Sequence, residues 1–318
     1  MRDTPLFPEI EAYHQEYLSV SDGHTIHFKM FGLPQGVPVL FLHGGPGSGC
    51  NPQHARLFHP QRYQLIQVDQ RGAGHSRPQG GLQGNNLSAL VNDLIQLRHH
   101  IGIQEWLVYG GSWGATLALE YAKQEPDRVS GLLLRAPFLA RSEDLSWFTE
   151  AGGVADKLPT AYANLRRNLG LKAEASVINR LYQILCNGQS DNELRYTSAL
   201  AWDSWEAAVM GVPLPLYETE KQLRMARIDR KRIHVHYCKH GFFLGDQGVL
   251  PGLNALRNLK VSILHAIGDQ VCRFSGSETL ANALADCELK SIADMDHRLD
   301  SVKMQLEIHR LLDALTPD

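Results

Sequence analysis

The sequence has few cysteines, no long hydrophobic run and no pattern of a secretory leader. Its five cysteines are odd in number and scattered along 318 residues, which argues against a disulfide framework. No stretch approaches the roughly 18 consecutive apolar residues of a membrane-spanning helix. Residues 1–20 contain no basic segment followed by an apolar core, as a secretory signal would. We therefore expect a reduced, cytoplasmic protein that does not enter a membrane.

The chain also lacks an excess of charge of one sign. Its net charge of -3 provides no broad positive field, so neither a nucleic-acid backbone nor an anionic membrane surface is an expected partner. Hydrophobic residues make up 43% of the chain and charged residues 20%, which is typical of globular proteins. A length of 318 residues suffices for one large α/β domain, or for a core domain with an insertion.

Short apolar runs bounded by Gly, Asp or Asn alternate with helical patterns. Such runs are typical of strands buried on both faces of a parallel sheet. They lie at residues 37–42, 63–68, 106–109, 132–134 and 261–264. After Asn86, apolar residues recur three or four apart and predict a helix with Asn86 as its N-cap. The alternation of strand and helix predicts an α/β fold with a mostly parallel sheet.

This alternation stops after about Ala140 and resumes near Leu253. The interval contains helical patterns, as over residues 165–185, and a tryptophan-rich stretch, AWDSWEAAVMG, without clear strand alternation. We predict an α/β core formed by residues 1–140 and 251–318. A helical cap, residues 141–250, would be inserted over the ends of the strands.

A single serine lies among glycines where a predicted strand meets a predicted helix. The stretch Gly110-Gly-Ser112-Trp-Gly114 is followed by the helix-forming residues 115–123. A serine in such a turn takes strained backbone angles, and neighbours without a Cβ let the chain pass close by. This arrangement is the nucleophile elbow of the G-x-S-x-G motif. The pentapeptide taken alone is equally compatible with a simple glycine turn.

A serine nucleophile needs a base, and the base needs an orienting carboxylate, in the chain order serine, acid, histidine for this motif. Asp269 follows the predicted strand 261–264, and His297 comes about one strand and one helix later. We predict that Ser112, Asp269 and His297 form a catalytic triad. Three further aspartates are too near His297 in sequence to come from a separate strand end: Asp294, Asp296 and Asp300.

Two loops that follow predicted strands are expected to surround this triad. The loop His43-Gly-Gly-Pro-Gly47 follows strand 37–42, and its N–H groups, with that of Trp113, are candidate donors to an oxyanion. A tight turn without a ligand is the alternative. The turn Asp69-Gln-Arg71-Gly is expected to buttress the site through an Asp69–Arg71 pair.

Longer motifs carry a family resemblance. FLHGGPGSG, VDQRGAGHSRP, NDLIQLRHHIGIQEWLVYGGSWGATLALEYAKQEPDRV, LLLRAPFLAR and AWDSWE closely resemble the proline iminopeptidases, which are α/β hydrolases of the serine peptidase type. The resemblance is near-continuous over residues 37–141, and farther along the chain it is limited to short separate stretches. It implies an α/β-hydrolase core with a helical cap. It also implies release of an N-terminal residue, chiefly proline, from small peptides with a free N-terminus, without a metal or other cofactor.

The resemblance also implies roles for single residues. Ser112 would be the nucleophile, with Asp269 and His297 as its partners, and Gly45 and Trp113 would be the oxyanion donors. Glu206 would hold the protonated amine of the substrate. Arg135 and Phe138 match an arginine and a proline-pocket aromatic residue of the same family segment.

One position departs from the family pattern. The family has a second glutamate in a stretch like A-R-I-E-N-H-Y-F, where this chain reads ARIDRKRIHVHYCKHGFF. Alignment from the left puts Asp229 at that position, and alignment from the right puts His234 there, which supplies no anion. His234 and His236 would share a face of a strand and suggest a metal site. However, no carboxylate or cysteine pair with zinc spacing accompanies them.

Two other functions are therefore considered. A capped esterase or amidase without a free-amine requirement is the nearest alternative, because the amine anchor is incomplete. A binding protein without catalysis on the same fold is the second alternative, against which the intact triad argues.

Overall fold

An eight-stranded sheet is the centre of the fold in the computed structural model, which describes residues 5–172, 174–293 and 295–316. The strands are β1 (His14–Ser19), β2 (Thr25–Gly32), β3 (Val37–Leu42), β4 (Tyr63–Asp69), β5 (Trp106–Gly111), β6 (Val129–Arg135), β7 (Val261–Ala266) and β8 (Cys287–Ile292). Their order in the sheet is β1-β2-β4-β3-β5-β6-β7-β8.

Most of the sheet is parallel, as predicted. The pairs from β4 to β8 are parallel, whereas β1 pairs with β2 and β2 with β4 in antiparallel register. The five predicted strands correspond to β3, β4, β5, β6 and β7. The sequence patterns did not single out β1, β2 or β8, because β1 and β8 are partly exposed and β2 carries polar residues between its apolar ones. A continuous apolar run marks only strands that are covered on both faces.

Helices cover both faces of this sheet. Along β3 and β5, side chains alternate between two hydrophobic clusters, so Leu40 and Val108 pack on one face while Phe41 and Tyr109 pack on the other. The helices are α1 (Leu87–His100), α2 (Trp113–Gln124), α3 (Ser142–Thr149), α4 (Pro159–Asn168), α5 (Val177–Leu185), α6 (Asn192–Met210), α7 (Lys221–Lys239), α8 (Phe274–Ala283) and α9 (Val302–Leu315). Helices α1 and α2 contribute to the first cluster and α9 to the second.

The predicted cap of α1 is confirmed. The side chain of Asn86 accepts a hydrogen bond of 3.0 Å from the backbone N–H of Ala89. This bond satisfies one of the N–H groups that lack an acceptor in the first turn of a helix.

Five helices, α3 to α7, occur between β6 and β7 in the described part of the chain. The helical pattern expected over residues 165–185 is divided between two helices, since α4 ends at Asn168 and α5 begins at Val177. The chain turns at Gly170, whose φ is 63°, and Ser176 caps α5 by accepting a hydrogen bond from the N–H of Asn179. The division into a core of residues 1–140 and 251–318 and a cap of residues 141–250 stays a prediction.

Within the described residues, no helix combines the length and the apolar character needed to cross a bilayer.

The contact between α2 and β3 leaves no room for a side chain at Gly114. A Cβ at that position would lie 2.2 Å from the carbonyl oxygen of Leu42. We expect Gly114→Ala to lower the free energy of unfolding by about 2 kcal/mol, because backbone must move to relieve the overlap. Urea unfolding at constant pH measures this change.

Gly245→Ala is the matched control, because a Cβ at Gly245 meets nothing within 4 Å. We expect it to change the free energy of unfolding by no more than about 0.5 kcal/mol. Equal stability of the Gly114 and Gly245 variants would contradict the close packing of α2 on β3.

Candidate active site

Ser112 lies in the turn between β5 and α2 and has a strained backbone, with φ 55° and ψ -122°. Its N–H donates to the carbonyl oxygen of Arg135 at 2.9 Å. Its own carbonyl accepts from the N–H groups of Ala115 at 2.9 Å and Phe138 at 3.3 Å. These bonds connect the turn to the end of β6, so neighbouring strands hold the unfavourable conformation.

The hydroxyl of Ser112 lies beside a buried thiol. The two atoms, Oγ of Ser112 and Sγ of Cys272, are 3.9 Å apart. Burial and the charge of Asp269 raise the pKa of the Cys272 thiol well above its usual range. The thiol is therefore protonated near neutral pH and is not a competing nucleophile.

Asp269 and His297 meet at the carboxyl ends of β7 and β8. Nδ1 of His297 lies 2.6 Å from Oδ2 of Asp269 and donates its proton to it. The other carboxylate oxygen, Oδ1, accepts from the N–H groups of Val271 at 2.8 Å and Cys272 at 2.9 Å. This geometry fixes the tautomer of His297 and leaves Nε2 as the ring nitrogen for proton transfer.

Asp269 is a buried anion with several donors. Burial opposes its ionisation, but the charge of His297 and hydrogen bonds from His265 and His297 outweigh burial and hold the pKa of Asp269 well below its usual range. Nε2 of His265 lies 2.9 Å from the carbonyl oxygen of Cys272, which can only accept, and 3.3 Å from Oδ2 of Asp269. The carboxylate therefore stays charged and orients two histidines.

Gln70 connects the glycine-rich loop to the elbow. Its Nε2 donates to the carbonyl of His43 at 2.8 Å, and its Oε1 accepts from Nε1 of Trp113 at 2.8 Å. A Cβ at Gly44 would lie 3.6 Å from Cβ of Ser112, so the loop passes directly against the serine. Trp113 is the first residue of α2, where backbone N–H groups have no acceptor within the helix. The candidate oxyanion loop and the elbow are thus joined by one buried amide side chain.

The expected pair between Asp69 and Arg71 is wrong. Arg71 instead pairs with Asp93, with Nε 2.6 Å from Oδ2, and also contacts Asp22. Asp69 lies 3.0 Å from Nδ1 of His27 and accepts the N–H groups of Cys50 and His75. Asp69 and Arg71 therefore bond to different partners, His27 for Asp69 and Asp93 for Arg71.

Arg135 contacts two members of the predicted triad through backbone. Besides accepting from the N–H of Ser112, it donates from its guanidinium to the carbonyl oxygen of His297 at 2.7 Å. A Cβ at Gly111 would lie 3.1 Å from this guanidinium, so the group lies flat against the elbow. The arginine therefore links the serine turn to the histidine loop.

A cavity of about 410 Å³ opens in front of Ser112. Ser112, His297, Arg135 and Phe138 line it from the side of the sheet. The ring of Phe138 packs edge-on against Phe242, with centroids 4.8 Å apart. Helices α6 and α7 supply a second wall with four charged residues and one histidine: Asp203, Glu206, Arg230, Lys231 and His234. We call this second wall the charged wall.

Glu206, the predicted amine anchor, lies on this charged wall and already has partners. Its Oε1 accepts from Nε1 of Trp202 at 3.0 Å and lies 3.3 Å from Nδ1 of His234. Its Oε2 accepts from Nζ of Lys231. Lys231 is buried and also lies 2.7 Å from Oδ1 of Asp203.

Asp229 is not on this wall, which corrects the expectation that it binds substrate. Its carboxylate lies against Gly80 and lines a separate depression beside Gly47. On α7, residues 229 and 234 are about 140° apart, so the face that brings His234 to the cavity turns Asp229 away. Burial raises the pKa of the Asp229 carboxyl in its own depression.

His234 and His236 lie on a helix, not on a strand, so the expectation that they share a face is wrong. They are about 160° apart around α7. Burial lowers the pKa of His234 to about 4, although the nearby charge of Glu206 acts in the opposite direction. Burial is the larger effect, so His234 is neutral at pH 7 despite its 3.3 Å distance from Glu206.

Comparisons with known proteins agree with this architecture. A family model described as the alpha/beta hydrolase fold matches residues 37–244. A proline iminopeptidase of Arabidopsis thaliana is 37% identical over 309 residues, which are 95% of this chain and 80% of the relative. A proline iminopeptidase of Neisseria meningitidis serogroup B is 34% identical over 291 residues, 91% of each chain. The chain belongs to the proline iminopeptidase family of α/β hydrolases.

Solved structures of similar shape include an esterase and a protein described as proline iminopeptidase-related. An esterase from Rhodococcus sp. ECU1013 superposes with a TM-score of 0.62 at 17% identity, covering 95% of this chain and 99% of that chain. A proline iminopeptidase-related protein from Thermus thermophilus gives a TM-score of 0.60 at 18% identity, covering 95% of this chain and 97% of that chain. At these identities the two structures bear on the fold alone.

Sequence reasoning missed several residues of this family member's site. Gln70, His265, Asp203 and Lys231 each contact a predicted site residue or line the cavity. One signal was available in the sequence, since Asp203 precedes Glu206 by one turn of a predicted helix. His265 lies on β7, where a spacing of four residues from Asp269 marks no contact. Gln70 and Lys231 meet their partners across long stretches of chain, and no local pattern marks them. Asp294 lies outside the described residues.

The buried, neutral state of His234 predicts how stability changes with pH. Its pKa is about 4 in the folded chain, against a reference of 6.5, so the unfolded chain takes up the proton first as the pH falls. The stability that depends on His234 is complete above pH 6.5 and is lost as the pH falls toward 4. This loss is about 2 kcal/mol between pH 7 and pH 5. We expect the pH dependence of unfolding in urea to be smaller by about this amount in His234→Gln.

The matched control is His240→Gln, since His240 is exposed at the end of the same helix. It should keep the pH dependence of the unchanged protein. If His234→Gln also keeps it, His234 is not a buried neutral group.

Proposed function

We propose that the chain is a serine aminopeptidase that releases an N-terminal residue, preferentially proline, from small peptides with a free N-terminus. One observation carries the proposal: Ser112 and His297 share a cavity with the carboxylate of Glu206, which lies on helix α6. A carboxylate at a fixed distance from the nucleophile selects the end of a chain, because a free amine is cationic near neutral pH. The names of the curated relatives support the same substrate class.

In the proposed reaction, His297 accepts the proton of the Ser112 hydroxyl as Oγ attacks the carbonyl carbon of the N-terminal residue. Protonated His297 then donates this proton to the leaving amine, and an acyl-enzyme remains. Water attacks the acyl-enzyme with His297 again as base, which frees the amino acid and the serine. Asp269 stays ionised throughout, because its pKa is held well below the usual range.

The negative charge that develops on the carbonyl oxygen needs donors fixed in advance. We assign the backbone N–H groups of Gly45 and Trp113 to this role, which is worth about 2.7–4 kcal/mol per donor. Gln70 supports the assignment, because its hydrogen bonds to His43 and Trp113 fix the position of the glycine-rich loop relative to the serine turn. No reorganisation of these loops is then required when the charge appears.

Phe138 and Arg135 have different parts in this proposal. Phe138 lines the cavity with its ring against Phe242, and the two rings offer an apolar contact for a pyrrolidine ring. Arg135 positions the carbonyl of His297 and so acts on the base through its loop. The amine of the N-terminal residue would lie toward Glu206 on the charged wall of α6 and α7. The cytoplasmic location expected from the sequence stays a prediction.

An esterase or amidase without a free-amine requirement is the second candidate. One observation favours it: Glu206 already contacts Lys231, so its charge is partly compensated before a substrate binds. A hydrolase with a compensated anchor would accept a blocked substrate as readily as a free amine.

The first test compares kcat/KM for chromogenic amides of proline, alanine and N-acetylproline. We expect the free prolyl amide to exceed the acetylated one at least a hundredfold, about 2.7 kcal/mol of transition-state discrimination. Ser112→Ala should abolish turnover of all three amides and serves as the control. Equal rates for the free and acetylated amides would instead support the esterase or amidase.

The second test separates positioning from substrate binding at Arg135. Arg135→Met removes the hydrogen bond to the carbonyl of His297 and should lower kcat about tenfold, with KM for the prolyl amide within about twofold. A loss of one such bond, about 1.4 kcal/mol, corresponds to this factor. A large rise in KM with little change in kcat would show that Arg135 contacts the substrate.

A further inference from the structure

We propose that Lys231 occupies the ammonium position of the cavity in the resting enzyme, and that a free-amine substrate must displace it from Glu206. Lys231 would then set how strongly the enzyme prefers a free amine. This inference rests on the proposed function, in which Glu206 binds the amine of the substrate.

The contacts of Lys231 are those expected of a bound ammonium. Its Nζ contacts Oε2 of Glu206 and lies 2.7 Å from Oδ1 of Asp203. The two carboxylates are one turn apart on α6, and Lys231 reaches them from α7. All three residues line the cavity that contains Ser112, and Lys231 is only 5% exposed. An amine of the chain itself therefore fills the place proposed for the amine of the substrate.

The charges around Glu206 are balanced before a substrate arrives. Asp203 pairs with Lys231, Arg227 and Arg230, and Arg227 also pairs with Glu218. The carboxylates Asp203, Glu206 and Glu218 thus face the cations Arg227, Arg230 and Lys231. His234, the neighbouring titratable group, adds no charge at pH 7 because burial lowers its pKa to about 4. A substrate ammonium at Glu206 would place two cations on one carboxylate unless Lys231 moves away from it.

Lys231 is the cation that can leave. Arg227 is held by both oxygens of Glu218, at 3.0 and 2.9 Å, and does not line the cavity. Arg230 contacts Asp203 and not Glu206. Lys231 has a flexible side chain and a second acceptor in Asp203. Its ammonium therefore keeps Asp203 as a partner when Glu206 binds the substrate. Displacement costs one contact of Lys231 with Glu206, and this cost weakens the binding of free-amine substrates.

Lys231→Met tests the inference, since methionine keeps a comparable length without the charge. We expect KM for the prolyl amide to fall at least tenfold, because Glu206 is then uncompensated and attracts the ammonium. The acetylated prolyl amide has no ammonium, so its kcat/KM should change by less than threefold. The ratio of kcat/KM for the free amide over the acetylated one therefore rises about tenfold or more.

Arg227→Met is the matched control. Arg227 lies on α7, as Lys231 does, and its guanidinium contacts Asp203. It contacts neither Glu206 nor the cavity, so the variant removes a cation from Asp203 but not from Glu206. We expect its ratio of free to acetylated amide to stay within twofold of the unchanged enzyme. A rise in both variants would indicate a general effect of removing positive charge, and would overturn the specific role of Lys231.

A binding measurement keeps the inference testable apart from turnover. In the Ser112→Ala background, calorimetry gives the Kd of prolinamide with and without Lys231→Met. We expect Kd to fall at least tenfold in the double variant, and an unchanged or higher Kd would overturn the inference. Should Lys231→Met fail to fold, Lys231→Gln carries the same expectation in both assays.

The outcomes for the two proposals are distinct. If the unchanged enzyme does not hydrolyse the prolyl amide, the proposed function fails, and the calorimetric comparison still decides whether Lys231 competes with an ammonium. If the enzyme hydrolyses the prolyl amide but Lys231→Met leaves both the ratio and Kd unchanged, only the inference about Lys231 fails. Lys231 would then be a structural counterion of the two carboxylates.

Discussion

Ser112 has backbone angles that are unfavourable for a residue with a side chain, and the rest of the site depends on how the fold maintains them. The turn is held because α2 packs against β3 with no space at Gly114, and because the backbone of Ser112 bonds to Arg135 and Phe138 at the end of β6. The cost of this conformation is met by contacts with two neighbouring strands. As a result, the serine hydroxyl projects into the cavity from a rigid support.

The same strand ends supply the remaining groups. β7 and β8 bring Asp269 to His297, and the loops after β3 and β4 meet Trp113 through Gln70. Because parallel strands place their carboxyl ends at one edge, groups far apart in sequence converge there. Arg135 then joins the serine turn to the histidine loop. The buried carboxylate of Asp269 and the side chains of Gln70 and Arg135 thus connect these loops.

The charged wall of the cavity, on α6 and α7, differs from the side that contains Ser112 and His297. α6 and α7 provide carboxylates and cations that neutralise one another before any ligand is present. In the proposed binding step, the ammonium of the substrate replaces Lys231 at Glu206 and does not enter an empty anionic pocket. In the proposed competition, the preference for a free amine is the difference between two buried ion pairs of Glu206, one with Lys231 and one with the substrate.

The sequence by itself determined the α/β class and the parallel strands β3 to β7, because strands buried on both faces read as apolar runs. The triad of Ser112, Asp269 and His297 stays a prediction, of which the structure shows the contact between Asp269 and His297. The sequence did not reveal β1, β2 or β8, whose exposed or mixed faces interrupt such runs. Only the tertiary structure decided that Asp229 faces away, that Arg71 pairs with Asp93 and that Lys231 contacts Glu206. Those outcomes depend on the rotation of α7 and on contacts between distant segments, and no local pattern of residues encodes either.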